Sequence, residues 1–305
     1  MSIVISDELW IHFTEDKRME DHQIIKLIKD SGLLPQIPEG FGDTLNLLLD
    51  PVRYSTEMCI DSIIGSPNLE KSMIKALNGS GRLIKPIKTI QEAVVYLGLK
   101  NLRIIMVSYL SNLLVSDIAN TKAFNSKKYW RHCIGTSIAA AMIAEETGLS
   151  NADKMFTYGL VHDVGVTVLK ICLPEHLDQI YDMQIKGVHQ VVAERIVLKG
   201  ITHAEIGQWI CEECGLNEEI SDVVGYHHTP FLSKEHSTEV KIMHLADSIS
   251  TYYYEKLLGN ETNLIYSERI REELKLPKDF INEAALLLPG RIDNFNQTIG
   301  LTLNL

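Results

Sequence analysis

Seven side chains between residues 132 and 247 are of the two types that bind hard-to-borderline metal ions: His132, His162, Asp163, His203, His227, His228 and Asp247. Mixed imidazole and carboxylate donors suit iron, manganese, zinc or nickel. Several such donors, with an aspartate able to bridge, are what a two-metal hydrolytic centre requires. They are too far apart in sequence to meet within one helix. They can converge only if several helices bring them together, so their order implies a fold as well as a site.

Taken singly, none of these residues is informative, because a buried, hydrogen-bonded histidine is common. The doublets His162-Asp163 and His227-His228, each followed or preceded by a single donor at a helix boundary, are harder to obtain by accident. His12, His22, His176, His189 and His236 read as surface or packing residues. His244, three residues before Asp247, reads as a neighbour of the centre rather than a ligand.

The elements that must position these donors read as helices throughout. Capping boxes are expected at Thr89-Ile90-Gln91-Glu92, at Ser150-Asn151-Ala152-Asp153 and at Thr202-His203-Ala204-Glu205. The second opens the helix carrying His162-Asp163, which places that doublet mid-helix. Asn217 should cap a helix running into His227-His228 and halting at Pro230. Gly148 and Gly215 are expected stops, and Pro277 fits a first helical turn. A first helix is expected over Glu8 to Asp30, and the apolar run beyond Gly98 should form a buried spine. Period-2 alternation is scarce. The expected fold is all-α, a bilobed helical bundle with the metal site in the C-terminal lobe. The expected division is an N-terminal extension (1–32), an N-terminal lobe (33–120), a metal-site lobe (121–260) and closing helices (261–305).

Composition narrows the class. The chain has 305 residues with 45% hydrophobic and 23% charged, ordinary for a globular protein with a sizeable core. A formal net charge of −11 argues against a broad nucleic-acid interface, though not against a small nucleotide held locally. No basic segment leads an apolar core at the N-terminus, and no apolar run of membrane-spanning length stands out, so a cytoplasmic protein is expected. The five cysteines are odd in number and scattered. Cys211 and Cys214 form a lone CxxC pair, better read as helix residues packed inward than as a zinc site.

The order His132, His162-Asp163, His203, His227-His228, Asp247 resembles the HD superfamily of metal-dependent phosphohydrolases, closest to its cyclic-di-GMP phosphodiesterase (HD-GYP) branch. The surrounding segments are more specific. Leu33-Leu34-Pro35-Gln36-Ile37-Pro38, Ala76-Leu77-Asn78-Gly79-Ser80, Gly159-Leu160-Val161-His162-Asp163-Val164-Gly165 and Tyr226-His227-His228-Thr229-Pro230 resemble HDOD, the HD-related output domain. The resemblance spans roughly residues 33 to 255. It implies a bacterial signalling module, often without catalysis, whose partner is another signalling protein. It also implies that His132, His162, Asp163 and Asp247 hold one metal, with Asp163 bridging to a second held by His203, His227 and His228.

Two positions depart from the phosphodiesterase pattern. Val166 stands where that branch carries a lysine for substrate phosphate, and Lys128 where some members carry a metal-binding glutamate. Three readings follow: a non-catalytic signalling module with one or two metal ions, a metal-dependent phosphohydrolase acting on a nucleotide such as a cyclic dinucleotide, and a helical scaffold whose donors only hydrogen-bond to one another.

Overall fold

The computed structural model describes residues 19–49, 54–79, 85–96, 98, 102, 106, 121–257 and 263–299. Among them the chain is all-α, with no strand. After a 3-10 turn at Met19–Asp21 come α1 (Gln23–Asp30), α2 (Phe41–Leu49), α3 (Thr56–Ile64), α4 (Pro67–Gly79) and a helical segment α5 (residues 90–96). Then follow α6 (Ser126–Thr147), α7 (Ala152–Val161), α8 (Val164–Cys172), α9 (Pro174–Gln184) and α10 (Gln190–Val197). The chain continues through α11 (His203–Glu213), α12 (Glu218–Tyr226), α13 (Ser237–Leu257), α14 (Glu268–Glu273) and α15 (Phe280–Ile299).

The second lobe is built around α6. Its residues from Cys133 to Ala140 are all buried, and α7, α13 and α15 pack against it. Asn125 caps its start by accepting the Lys128 amide, and Gly148 ends it in the left-handed region. The hairpin of α11 and α12 packs on α8 and α13. Thr202 and Glu205 form the expected reciprocal capping box on α11, and Asn217 accepts the Ile220 amide at the start of α12.

Several local expectations shift. The doublet does not lie mid-helix: α7 ends at Val161 and α8 begins at Val164, with Asp163 at φ −98°, ψ 17°. On a continuous helix, adjacent side chains diverge by about 100°. The break releases His162 and Asp163 from that constraint. The cap before α7 is Asn151 rather than Ser150, because Asn151 Oδ1 takes the Lys154 amide. Pro277 lies in the turn ahead of α15, where its carbonyl accepts the Phe280 amide. The expected start of the first helix at Glu8 and most of the apolar spine beyond Gly98 lie outside the described residues.

α1 belongs with the second lobe. Eight residues are too few for an isolated helix to be stable in water. Ile24, Ile25 and Ile28 are fully buried, each such side chain contributing about 1.5–3 kcal/mol, and the helix packs on α8. His22 caps it through Nδ1 and donates from Nε2 to the Lys199 carbonyl at 3.3 Å. Buried residues between Ile24 and Ile292 form the main apolar core, with a smaller cluster of Tyr129, Trp130 and Cys133 beside it. The stretch Ala152–Cys172 is long and apolar enough to cross a membrane, but 89% of its most apolar 18 residues are buried among other helices, as core helices are.

The first lobe docks onto the far end of the α11–α12 hairpin. Asn46 of α2 donates to the Gly215 carbonyl (2.9 Å) and accepts the Asn217 amide (3.0 Å). Gly42 lies against the Cys214 carbonyl, where a β-carbon would come within 2.0 Å of that oxygen. Within the lobe, Asn78 clamps Ile87 through both backbone groups at 2.8 Å. We expect Gly42→Ala to push α2 off the hairpin and cost about 1–3 kcal/mol. Thermal denaturation should show a clear fall in Tm, and an unchanged Tm would mean that the lobes are not held by this contact.

Candidate metal centre

All seven predicted residues come together. α6 brings His132, the α7–α8 break brings His162 and Asp163, the first turn of α11 brings His203, the end of α12 brings His227 and His228, and α13 brings Asp247. They fall into two groups that share Asp163. Around Asp163 Oδ2 lie His132 Nε2 (3.4 Å) and His162 Nε2 (3.5 Å), both also facing Asp247 Oδ1 at 3.2 and 3.8 Å. Around Oδ1 lie His203 Nε2 (3.2 Å) and His227 Nε2 (3.5 Å), with His228 Nε2 3.2 Å from His203 Nε2.

The backbone sets which ring nitrogen faces inward as a donor. A carbonyl oxygen can only accept, so a ring nitrogen beside one carries the proton. His162 Nδ1 donates to the Gly159 carbonyl at 2.8 Å, and His227 Nδ1 to the Val224 carbonyl at 2.7 Å. In the neutral rings, Nε2 then presents a lone pair to the Asp163 carboxylate. His227 Nε2 is buried without a hydrogen-bond partner. His203 Nδ1 donates to Glu194 at 2.7 Å, again leaving Nε2 as the donor atom. The Ser250 hydroxyl donates to the His132 carbonyl (3.0 Å) and lies 3.3 Å from His132 Nδ1, which backs that ring in the same way. Lone pairs aimed at an anionic oxygen repel unless a cation stands between them. This donor set fits a divalent metal ion, four of its five histidines being held from behind as metal-binding histidines are.

Without a metal, protons supply the missing positive charge. Burial would lower His132, but the hydrogen bonds it donates to Asp163 and Asp247 outweigh that and raise it to about 10. Burial likewise opposes protonation of His203, and the Glu194 and Asp163 carboxylates hold it well above the usual range. Burial carries His162 down to about 4 and holds His228 well below its ordinary value. Burial would raise both aspartates, yet the surrounding histidines hold Asp163 and Asp247 well below the usual carboxylate range.

Close helix approach is part of the geometry. A β-carbon at Gly165 would lie 1.9 Å from the His203 carbonyl, so only glycine lets α8 meet the start of α11 there. Glu194 and Ser250 are the contributors that sequence reasoning missed. The available signal for Glu194 was a single acid on the short apolar helix Gln190–Val197, whose neighbours Val191, Ala193 and Val197 are all buried.

Other sequence readings settle away from the centre. His244 donates to the His227 carbonyl at 2.8 Å and so supports the α12 end from outside. Lys128 is exposed, and Val166 packs against Tyr129 and Trp130. Cys211 and Cys214 are buried free thiols.

The HDOD domain model matches residues 34–230, most of the chain, and the protein belongs to that family. No curated protein matches it. Among solved structures, an HDOD domain protein of unknown function from Geobacter sulfurreducens is 24% identical, with a TM-score of 0.60 over 90% of this chain and 95% of that one. A protein from Marinobacter aquaeolei VT8, provisionally described as a signal transduction protein, is 18% identical, with a TM-score of 0.67 over 94% of this chain and 62% of that one. One from Shewanella amazonensis SB2B, provisionally described as a phosphohydrolase, is 18% identical, with a TM-score of 0.56 over 86% and 97%. These likenesses establish the fold.

The histidine shifts set a pH optimum for the chelator-treated protein. His132 and His203 are raised on folding, so their contribution is complete below the unfolded value of 6.5 and is lost as pH rises, for His132 through about 10. His162 and His228 are lowered, so theirs is complete above 6.5 and is lost as pH falls, for His162 through about 4. Chelator-treated protein should therefore melt highest near pH 6.5 and lose Tm on both sides. Metal should move that optimum upward, because its ligands must be deprotonated. A metal-free Tm still climbing from pH 7 to 9 would contradict this arrangement.

Proposed function

We propose that this protein is a non-catalytic HDOD signalling module whose second lobe holds one or two divalent ions at His132, His162, Asp163, His203, His227, His228 and Asp247. Iron, manganese, zinc and nickel all suit these donors. The observation that carries the metal reading is the pair of backbone-anchored rings, His162 and His227, whose Nε2 atoms face the Asp163 carboxylate from both sides. Bound metal supplies a central positive charge and, where a phosphoryl group is present, Lewis acidity.

The chain's own residues do the rest. Asp163 offers one oxygen to each group of histidines, and Asp247 adds a second carboxylate to the first group. Because the donors come from five helical segments, a metal that binds only the folded lobe stabilises it by mass action, about 2.7 kcal/mol at a hundredfold excess over Kd. The output passes to a signalling protein partner.

Val166 supports the non-catalytic part. At the place where the resemblance expects a phosphate-binding lysine, an apolar side chain is tucked against Tyr129 and Trp130. The complete two-group donor set favours a second reading, a phosphodiesterase acting on a cyclic dinucleotide. Metal-loaded protein assayed with cyclic di-GMP and with bis(p-nitrophenyl) phosphate separates the two. We expect no turnover above the metal-containing buffer, together with a rise in Tm on metal addition. Turnover that disappears in Asp163→Ala would establish the hydrolase reading instead.

A further inference from the structure

Behind His203 lies a second carboxylate that neither group of donors uses. Glu194, on α10, is 2% exposed. Both its oxygens lie 2.7 Å from His203 Nδ1, and it also accepts the His203 backbone amide at 3.0 Å. Gln190, one turn earlier on the same helix, donates to Glu194 Oε1 at 3.0 Å. Burial opposes ionisation of Glu194, but its contacts with His203 hold the carboxyl below the usual range. A buried carboxylate with three donors converging on it is built into the fold and is not a solvated surface charge.

The other rings are backed differently. His162 and His227 lean on neutral carbonyls and His132 on the Ser250 hydroxyl. The first group also contains Asp247, within 3.2 Å of His132, whereas His203, His227 and His228 gather on Asp163 and reach Asp247 only through His228 Nδ1, at 3.8 Å. The two groups are therefore unequal in where their negative charge sits.

We propose that Glu194, held by Gln190, is the positioning residue on which the His203–His227–His228 group depends for metal binding, while the His132–His162–Asp247 group does not depend on it. This rests on the reading of the centre as a metal site. Glu194 fixes the His203 ring with Nε2 inward and lends it anionic character through the Nδ1–H bond, raising its strength as a donor. Gln190 keeps the carboxylate turned toward His203. A glutamine at 194 keeps the size and can still accept one hydrogen bond but lends no charge.

The test is a Zn2+ titration against a chromophoric chelator, with bound zinc counted by elemental analysis, on the parent, Glu194→Gln and Gln190→Ala. The parent should bind two equivalents, and a parent that binds only one would overturn this two-group proposal while leaving the metal reading intact. In Glu194→Gln the weaker-held equivalent should lose about 10- to 100-fold in affinity while the other stays unchanged. Gln190→Ala should give a smaller loss in the same equivalent, which keeps the test open if the first variant folds poorly. A general loss of packing would weaken both equivalents together, and that result would overturn the proposal. Two unchanged equivalents in Glu194→Gln would overturn it while leaving the metal reading intact. A parent that takes up no zinc would overturn both.

Discussion

The carboxylate of Asp163 is the constraint around which the second lobe is arranged. Both its oxygens are faced by imidazole nitrogens, and the rings of His162 and His227 are fixed by backbone carbonyls at Nδ1 so that Nε2 is turned toward the carboxylate. Such an array is electrostatically incomplete in itself. Protons fill the deficit in part, which is why His132 and His203 are raised while His162 and His228 are lowered. A divalent cation fills it without forcing neighbouring rings into opposite protonation states.

The helices are placed to satisfy that array. α6 runs through the middle of the lobe and delivers His132 from a buried face. The break between α7 and α8 frees two consecutive side chains that a continuous helix would splay apart. The α11–α12 hairpin contributes His203 at one terminus and His227-His228 at the other, both at the same end of the hairpin. Its opposite end is gripped by Asn46 and Gly42 of the first lobe. The hairpin therefore connects the donor centre with the lobe junction through two short, well-packed helices.

The seven donors were legible in sequence because their chemistry lies in residue type and order, and helix starts at Thr202 and Asn217 follow from local capping that tertiary structure does not override. What escaped depended on three-dimensional context. Apolar periodicity runs unbroken through Val161, Val164 and Val168, so nothing local signals the break at His162-Asp163. Ser150 and Asn151 are both good caps, and only the path of the chain decides for Asn151. Glu194 looks like an ordinary helical acid until α10 is seen with that face turned inward toward His203.

The central claim is that this cluster is completed by a metal cation. The most direct measurement is elemental analysis of the full chain purified without chelator, beside a His162→Ala, Asp163→Ala double variant prepared identically. The account predicts one or two equivalents of iron, manganese, zinc or nickel in the parent and none in the variant. A folded parent that stays free of metal after reconstitution with each of these ions would contradict it and leave the donors as a network held together by protons alone.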